Sequence, residues 1–317
     1  MKKIKFFSTL GLAAAATLSL FACGKEAEKP VMTFAQFQEA AVDSDVVIKS
    51  YVQDFESWWD GKMTLYLQDK DGAVFAHETK CTEEESKEIS KGVCVRLEGK
   101  KSVWNDMTEV SGGTMRVLKD EEKYVATTTA YEAADFTNDK LKADCGKLFK
   151  VTATIEPSVK GEEEVPFLYN WNGAGEVDGS DIYFNVKVGN NPFTFNVRRY
   201  LRDSSTDVYK AAKKLIIGFD YELTGYVYMY EGKCQARIIG IKQVTESASV
   251  EFDYKDGSDL KEVIIKKGTT VAKPEDPTRE GYAFQGWYSD PAFITAFDFT
   301  KAVNDDIRIF AKWVAVK

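Results

Sequence analysis

The sequence predicts a mainly β chain of three units: two consecutive five-stranded barrels with short helices, then one small sheet domain. Three observations carry that expectation. Short runs of alternating apolar and polar residues recur along the chain, where amphipathic helices would show a longer period. Aromatic residues make up 13% of the 317 positions, mostly Tyr and Phe, and these side chains suit a pleated, half-buried surface. One order of parts, framed by a pair of glycines, also occurs twice.

The N-terminus opens on Met1-Lys2-Lys3-Ile4-Lys5. An apolar, small-residue run from Phe6 to Ala22 follows, and then the polar Gly24-Lys25-Glu26. A basic head, an apolar middle and a small residue before the cut form a secretory signal segment. The run is diluted by Ser, Thr and Gly and falls short of the roughly 20 apolar residues that a membrane span needs. Its end, Leu20-Phe21-Ala22-Cys23, resembles the lipobox of bacterial lipoproteins, although Phe21 departs from the small residue usual there. The resemblance implies lipid attachment at Cys23. It also implies export to the cell membrane or outer membrane, facing the periplasm or the exterior. A plain signal peptide cut after Ala22 would fit the same segment. The expected organisation is a signal peptide at 1–22, a flexible tether at 23–32, barrels at 33–132 and 133–246, and a last domain at 247–317.

Charge narrows the partners. The formal net charge of −8 becomes −11 once the three lysines of the signal segment are gone. An acidic surface is poorly suited to neutralising phosphates, so nucleic acid is not an expected partner. Cys81, Cys94, Cys145 and Cys234 remain after Cys23, and none has metal-ligand or CxxC spacing. Export permits disulfides, with three possible pairings, of which Cys81–Cys94 is the most local. Four free thiols are the alternative.

In the first unit, Thr33-Phe34-Ala35-Gln36 is a capping-box pattern opening a short helix through about Ala41. Strand-like runs follow at Val46–Val52, Met63–Leu67 and Ala73–His77. Thr82-Glu83-Glu84-Glu85 opens a second helix. Gly92 to Gly99 alternates as a strand, with Ser102–Val110 as its expected hairpin partner. The second unit repeats this order. Thr137 opens a helix, then strands are expected at Leu148–Ile155, Asp181–Val188 and Pro192–Val197, with a helix at Asp207–Leu215. Gly218 to Gly225 reproduces the spacing of Gly92 to Gly99, with Leu223 in the place of Leu97. The offset between copies grows from 104 at Thr33/Thr137 to 126 at the glycines. The extra residues fall mainly in Pro157–Gly179, expected as a loop. A helix, three strands, a helix and two strands is similar to the OB-fold, a five-stranded Greek-key barrel. That resemblance implies a face able to bind oligosaccharides, oligonucleotides or protein edges.

The third unit centres on Gly281-Tyr282-Ala283-Phe284-Gln285-Gly286-Trp287-Tyr288-Ser289-Asp290. Gly268, Pro274 and Pro277 stand before it, and Phe297-Asp298-Phe299 and Ala311-Lys312-Trp313 after it. It resembles the Listeria–Bacteroides repeat, a small β-grasp-like module of bacterial surface proteins, over about residues 249–313. The alternation agrees: Val250, Phe252 and Tyr254 share one strand face, as do Val263 and Ile265, and Ile307, Ile309, Ala311 and Trp313. Trp287 and Trp313 are the natural core of so small a domain.

No catalytic constellation stands out, and an enzyme is not expected. The single histidine, His77, sits on a strand, and no G-x-S-x-G elbow or phosphate loop is present. Asp69, Asp71 and Gly72 resemble a fragment of a calcium loop, but the later spacing fails. No metal or cofactor is expected. Tyr226, Tyr228 and Tyr230 alternate on one strand face, with Val227 and Met229 on the other. If outward, the tyrosines form a ladder for sugar rings or a peptide edge; otherwise they pack inside or between barrels. Trp58-Trp59 is the second candidate, since adjacent positions point opposite ways. The expectation is a membrane-anchored surface or envelope lipoprotein acting as a non-catalytic binding or adhesion module for a glycan or surface-protein ligand. The alternatives are a structural spacer or assembly component and an accessory subunit of a secreted hydrolase system.

Overall fold

The computed structural model describes residues 28–316; Cys23 and residues 1–22, expected as a signal peptide, lie outside the described residues. Residues 28–32, expected as free tether, lie along the first barrel. Arg96 donates to the Lys29 carbonyl at 2.6 Å, and Met32 bridges to Ile48.

The first barrel comprises α1 (Phe34–Glu39), β1 (Asp45–Phe55), β2 (Lys62–Gln68), β3 (Ala73–Lys80), α2 (Glu83–Glu88), β4 (Cys94–Trp104) and β5 (Met107–Val117). Both helices carry full capping boxes from Thr33 and Thr82, so the orphan amides of these one-turn helices are satisfied locally. The strands close in the order β1-β2-β3-β5-β4, with β3 and β5 parallel. Inward residues at alternate positions, among them Val46, Ile48, Leu65, Leu67, Val95, Leu97 and Val110, make one core. The expected partner strand Ser102–Val110 straddles a turn. Asn105 and Asp106 both have positive φ, which makes a tight hairpin there and begins β5 at Met107.

The second barrel follows with β6 (Thr129–Ala130), α3 (Asn138–Ala143), β7 (Leu148–Glu156), β8 (Ser158–Lys160), β9 (Glu163–Val165), β10 (Leu168–Tyr169), β11 (Ile182–Val188), β12 (Asn191–Val197), α4 (Asp207–Ala212), β13 (Asp220–Tyr226), β14 (Met229–Tyr230), β15 (Lys233–Cys234) and β16 (Arg237–Gln243). Pairing of β11 with both β12 and β7 closes the ring β7-β11-β12-β16-β13, the same circuit as the first barrel, with the third and fifth members again parallel. The segment expected as a plain loop over 157–179 contains the β8–β9 hairpin and edge strand β10.

The glycine frame has a structural reason. Gly92 and Gly218 both have positive φ, near +88° and +81°. Gly99 and Gly225 sit at breaks in register, between β4 and β5 and between β13 and β16. A Cβ on Gly99 would meet Val110 at 2.7 Å, and one on Gly225 would meet the Arg237 carbonyl at 2.6 Å. Bulges bend a strand and increase its twist, which a small closed barrel requires.

The third unit holds β17 (Ser247–Asp253), β18 (Lys261–Lys266), β19 (Tyr282–Tyr288) and β20 (Ile307–Ala315), in sheet order β18-β17-β20-β19 with β17 and β20 parallel. Trp287 is buried, its ring edge-on to Phe252, Tyr254 and Phe284. Trp313 is half-buried and donates its indole N–H to the Tyr254 carbonyl at 2.7 Å. Ile264 of β18 packs against the second barrel. All four cysteines after Cys23 are free thiols.

Replacing either frame glycine tests the duplication physically. Gly99→Ala and Gly225→Ala are each expected to destabilise the chain by about 1–3 kcal/mol through overpacking, read as lowered midpoints in denaturant unfolding. Wild-type midpoints for both would show that the bulges do not need glycine.

Candidate ligand cleft at the seam between the barrels

The two barrels meet across a buried aromatic layer. Tyr66, Phe75 and Met107 of the first pack against Leu148, Leu201, Tyr226 and Tyr228 of the second. Tyr66 and Phe75 come from the outer face of β2–β3, because their neighbours Leu65, Leu67, Val74 and Ala76 point inward, and Met107 opens β5. In OB-folds that face carries ligands; here the second barrel covers it.

Arg237 is the polar centre of the seam. Its guanidinium donates to Glu56 at 3.0 Å and to the Tyr66 hydroxyl at 2.7 Å, and its carbon lies 3.8 Å from the Tyr228 ring centre. Burial opposes its charge, yet Tyr66, Glu56 and Tyr228 more than offset that, so its pKa is raised. Burial likewise raises the phenols of Tyr66, Tyr226 and Tyr228. Arg202 forks onto Asp54 beside it. Burial also raises the Glu109 carboxyl, against the opposing influence of His77, Ser102 and Arg237.

The aromatic candidates therefore separate. Tyr226 and Tyr228 do share a face opposite Val227 and Met229, but that face is the seam, where they are 1% and 6% exposed. They form no outward ladder, because the layer between the barrels requires their apolar rings. Tyr230 is half-buried, 5.7 Å from Trp104. Trp58 turns inward and donates to the Cys81 carbonyl at 3.1 Å. Trp59 turns outward and is 81% exposed.

The backbone that presents Trp59 is tightly turned. Its backbone exchanges two 3.0 Å bonds with Lys62, and Asp60 and Gly61 both have positive φ, which together make a tight two-residue hairpin. Facing it, Tyr200 stands in the turn after β12, half exposed and stacked under Arg199 at 4.5 Å. The Tyr200 carbonyl accepts from the Ser57 amide at 3.4 Å, linking the two loops. Between them lies a cleft of about 470 Å³ with Lys62, His77, Glu78, Arg198 and Glu56 in its walls. Ligand pockets commonly span roughly 300–1,000 Å³.

His77 thus shares a cleft with three carboxylates, Glu56, Asp60 and Glu78, of which Glu56 and Glu78 are engaged. Glu56 accepts from Arg237 and Tyr66, and Glu78 accepts from Lys62 at 2.9 Å. Asp69, which suggested a calcium loop, accepts from the amides of Asp71 and Gly72 and holds a turn. No group of three or more His, Cys, Asp or Glu able to hold a metal occurs among the described residues. Burial pushes the thiols of Cys81 and Cys145 up to about 11 and that of Cys234 up to about 12, so they stay protonated.

Tyr200, Arg198 and Arg237 carried no sequence signal as a site. One was present in composition: four of the chain's eight arginines, at 198, 199, 202 and 237, gather at this seam. Six buried side-chain polar atoms lack a hydrogen-bond partner among the described residues, and three of them, Asn196 Oδ1, Arg198 Nε and Arg237 Nε, lie here. Each such atom costs about 1–3 kcal/mol when left unpaired.

Comparison with known proteins bears on the third unit. Residues 249–312 match the Listeria-Bacteroides repeat domain. Its landmark residues do structural work: Gly286 has a positive φ at a bulge before the buried Trp287, and Asp290 accepts from the amides of Ala292, Ile294 and Thr295. Two similar proteins of Evansella cellulosilytica are named "Putative membrane protein" and "Putative Gly-rich membrane protein". They are 38% and 39% identical over 66 residues, 20% of this chain and 10% and 8% of their own lengths. The match thus spans about a tenth of those relatives. Among solved structures, the Ifi202 HINa domain with 20-bp double-stranded DNA overlaps 64% of this chain and 96% of its own at 10% identity and a TM-score of 0.28. A replication protein A heterotrimer bound to single-stranded DNA overlaps 69% and 70% at 9% identity and a TM-score of 0.25. Overlaps this loose carry no argument about ligands.

Removing the seam's central cation has a defined cost. Arg237→Ala leaves Glu56 buried without its partner and is expected to destabilise the chain by about 3–5 kcal/mol, measured by calorimetric unfolding. A change within error would show that the barrels dock without this ion pair.

Proposed function

We propose that this chain is a non-catalytic binding protein of the cell envelope, held at the membrane by lipid on Cys23, that takes a glycan in the cleft at the seam. The observation that carries the glycan reading is the pair of exposed rings, Trp59 and Tyr200, lining one cleft walled with hydrogen-bonding side chains. Aromatic rings offer flat apolar faces to sugar rings, while the polar walls meet hydroxyl groups. The tight turn fixes the backbone at Trp59, so little loop entropy remains to be lost on binding.

The membrane-named relatives of the repeat and the surface character of that module support an envelope location. No helix among the described residues is long and apolar enough to cross a membrane. An anchor at Cys23 accounts for retention, since two or more acyl chains hold where one is marginal. The gathering of His77, Glu56 and Glu78 is the one observation favouring a hydrolytic reading. The salt bridges already made by Glu56 and Glu78 weigh against it.

Two experiments test the proposal. On a glycan array, Trp59→Ala is expected to weaken the bound glycans by about 30-fold, the loss of one aromatic anchor worth roughly 2 kcal/mol. A variant that binds like wild type sinks the cleft as the site. Cys23→Ser is expected to lose metabolic fatty-acid label and to leave the membrane fraction. Label retained on that variant would place the anchor elsewhere.

A further inference from the structure

The second barrel carries two stretches that the first lacks. Residues 157–181 join its strands β7 and β11, whereas residues 56–61 suffice between β1 and β2. Residues 198–205 lie between β12 and Thr206, the cap of α4, whereas Cys81 alone separates β3 from Thr82, the cap of α2. The two extra stretches meet. The Arg199 guanidinium, in one, donates to the Gly179 carbonyl, in the other, at 2.5 Å. Asp181, 8% exposed, closes the junction. It accepts from the Arg199 amide at 2.9 Å and from the Arg198 guanidinium at 2.6 Å.

Tyr200 follows directly, and its backbone is fixed from several sides. Its carbonyl accepts from the Ser57 amide, Arg198 before it is tied to Asp181, and Arg202 after it forks onto Asp54. The ring has fewer restraints. Among the described residues its hydroxyl bonds to the Arg199 guanidinium, which also lies 4.5 Å from the ring centre; Arg198 is farther off at 6.0 Å. Arg199 thus touches both the ring that borders the seam cleft and the backbone of the 157–181 connection. Neither Arg199 nor any residue of that connection lines the cleft. A planar guanidinium suits this double contact, because it can stack on a ring while donating through its fork of N–H groups.

We infer that Arg199 is a positioning residue of the seam site, clamping the Tyr200 ring to the 157–181 connection so that the ring is set before a glycan arrives. This rests on the glycan reading of the seam cleft and deepens it by naming what pre-organises one of its two rings. A ring ordered in advance spares the side-chain entropy that binding would otherwise remove. The extra length of the second barrel then serves binding as a buttress, without touching the ligand.

Two measurements on the full-length chain in detergent test this. Fluorine NMR of fluorotyrosine-labelled chain reads the ring itself, with the Tyr200 resonance assigned by its loss in Tyr200→Phe. Arg199→Ala is expected to narrow that resonance and move it toward the shift of free fluorotyrosine. An unchanged resonance overturns the clamp. Titration with the glycans that the wild-type chain binds on an array reads the consequence. Arg199→Ala is expected to weaken binding about fivefold, and Tyr200→Ala about 30-fold. Adding Arg199→Ala to Tyr200→Ala is expected to cost nothing more, because both act through one ring. An equal loss from Arg199→Ala in both backgrounds overturns the positioning role. A wild-type chain that binds no glycan overturns the function on which the inference rests, while the resonance still decides the clamp. Circular dichroism of each variant separates a loosened ring from a lost fold.

Discussion

A guanidinium buried between two barrels is the constraint on which the architecture turns. Arg237 cannot leave water without compensation, since an unpaired buried charge costs several kcal/mol. Glu56 and Tyr66 from one barrel and the Tyr228 ring from the other supply that compensation together. Each partner is directional, so the barrels dock in one orientation. Arg202 on Asp54, Lys142 on Asp106 and the Leu148 amide on the Gln68 side chain repeat the lock around the rim. The aromatic layer alone would contribute affinity without register, because apolar burial is non-directional.

That docking divides the labour between two copies of one barrel. Both have the same circuit, the same bulged glycine and the same parallel third and fifth strands. One has its outer β2–β3 face aromatic, with Tyr66 and Phe75, and that face is buried. The other carries Tyr183, Asn185, Thr194 and Asn196 on its outer β11–β12 face, of which Asn196 is buried and Asn185 and Thr194 are half-buried. The tight hairpin of Trp59 stands at the seam, on the cleft that Arg198 and Tyr200 of the second barrel also line.

The third unit follows a different economy. Its core is small, so a few aromatic rings and a few capped turns carry it. Trp287 sits edge-on to three rings, and Asp290 holds its loop through backbone amides. The residues that make the repeat recognisable are those that hold it together. They leave its exposed surface free to vary, and its presence in membrane-named proteins of otherwise different length fits a module carried by larger chains.

Local patterns were legible in the sequence because local forces set them. The capping boxes at Thr33 and Thr82, the alternation of each barrel strand, the paired glycine frame and the aromatic core of the repeat all depend on residues a few positions apart or on period alone. The tight turn at Asn105-Asp106 was misplaced because a strand-like run continues through it on both sides. The tyrosines show the limit most clearly: alternation placed Tyr226 and Tyr228 on one face, but whether that face meets water or another barrel depends on Tyr66 and Phe75, some 150 residues earlier. Likewise Trp59 and Tyr200 became neighbours only through the docking that Arg237 directs. Sequence by itself determined the strands, the duplication and the repeat. Tertiary structure alone decided which surfaces remained to bind, because burial is a property of pairs of surfaces and no single segment contains both members.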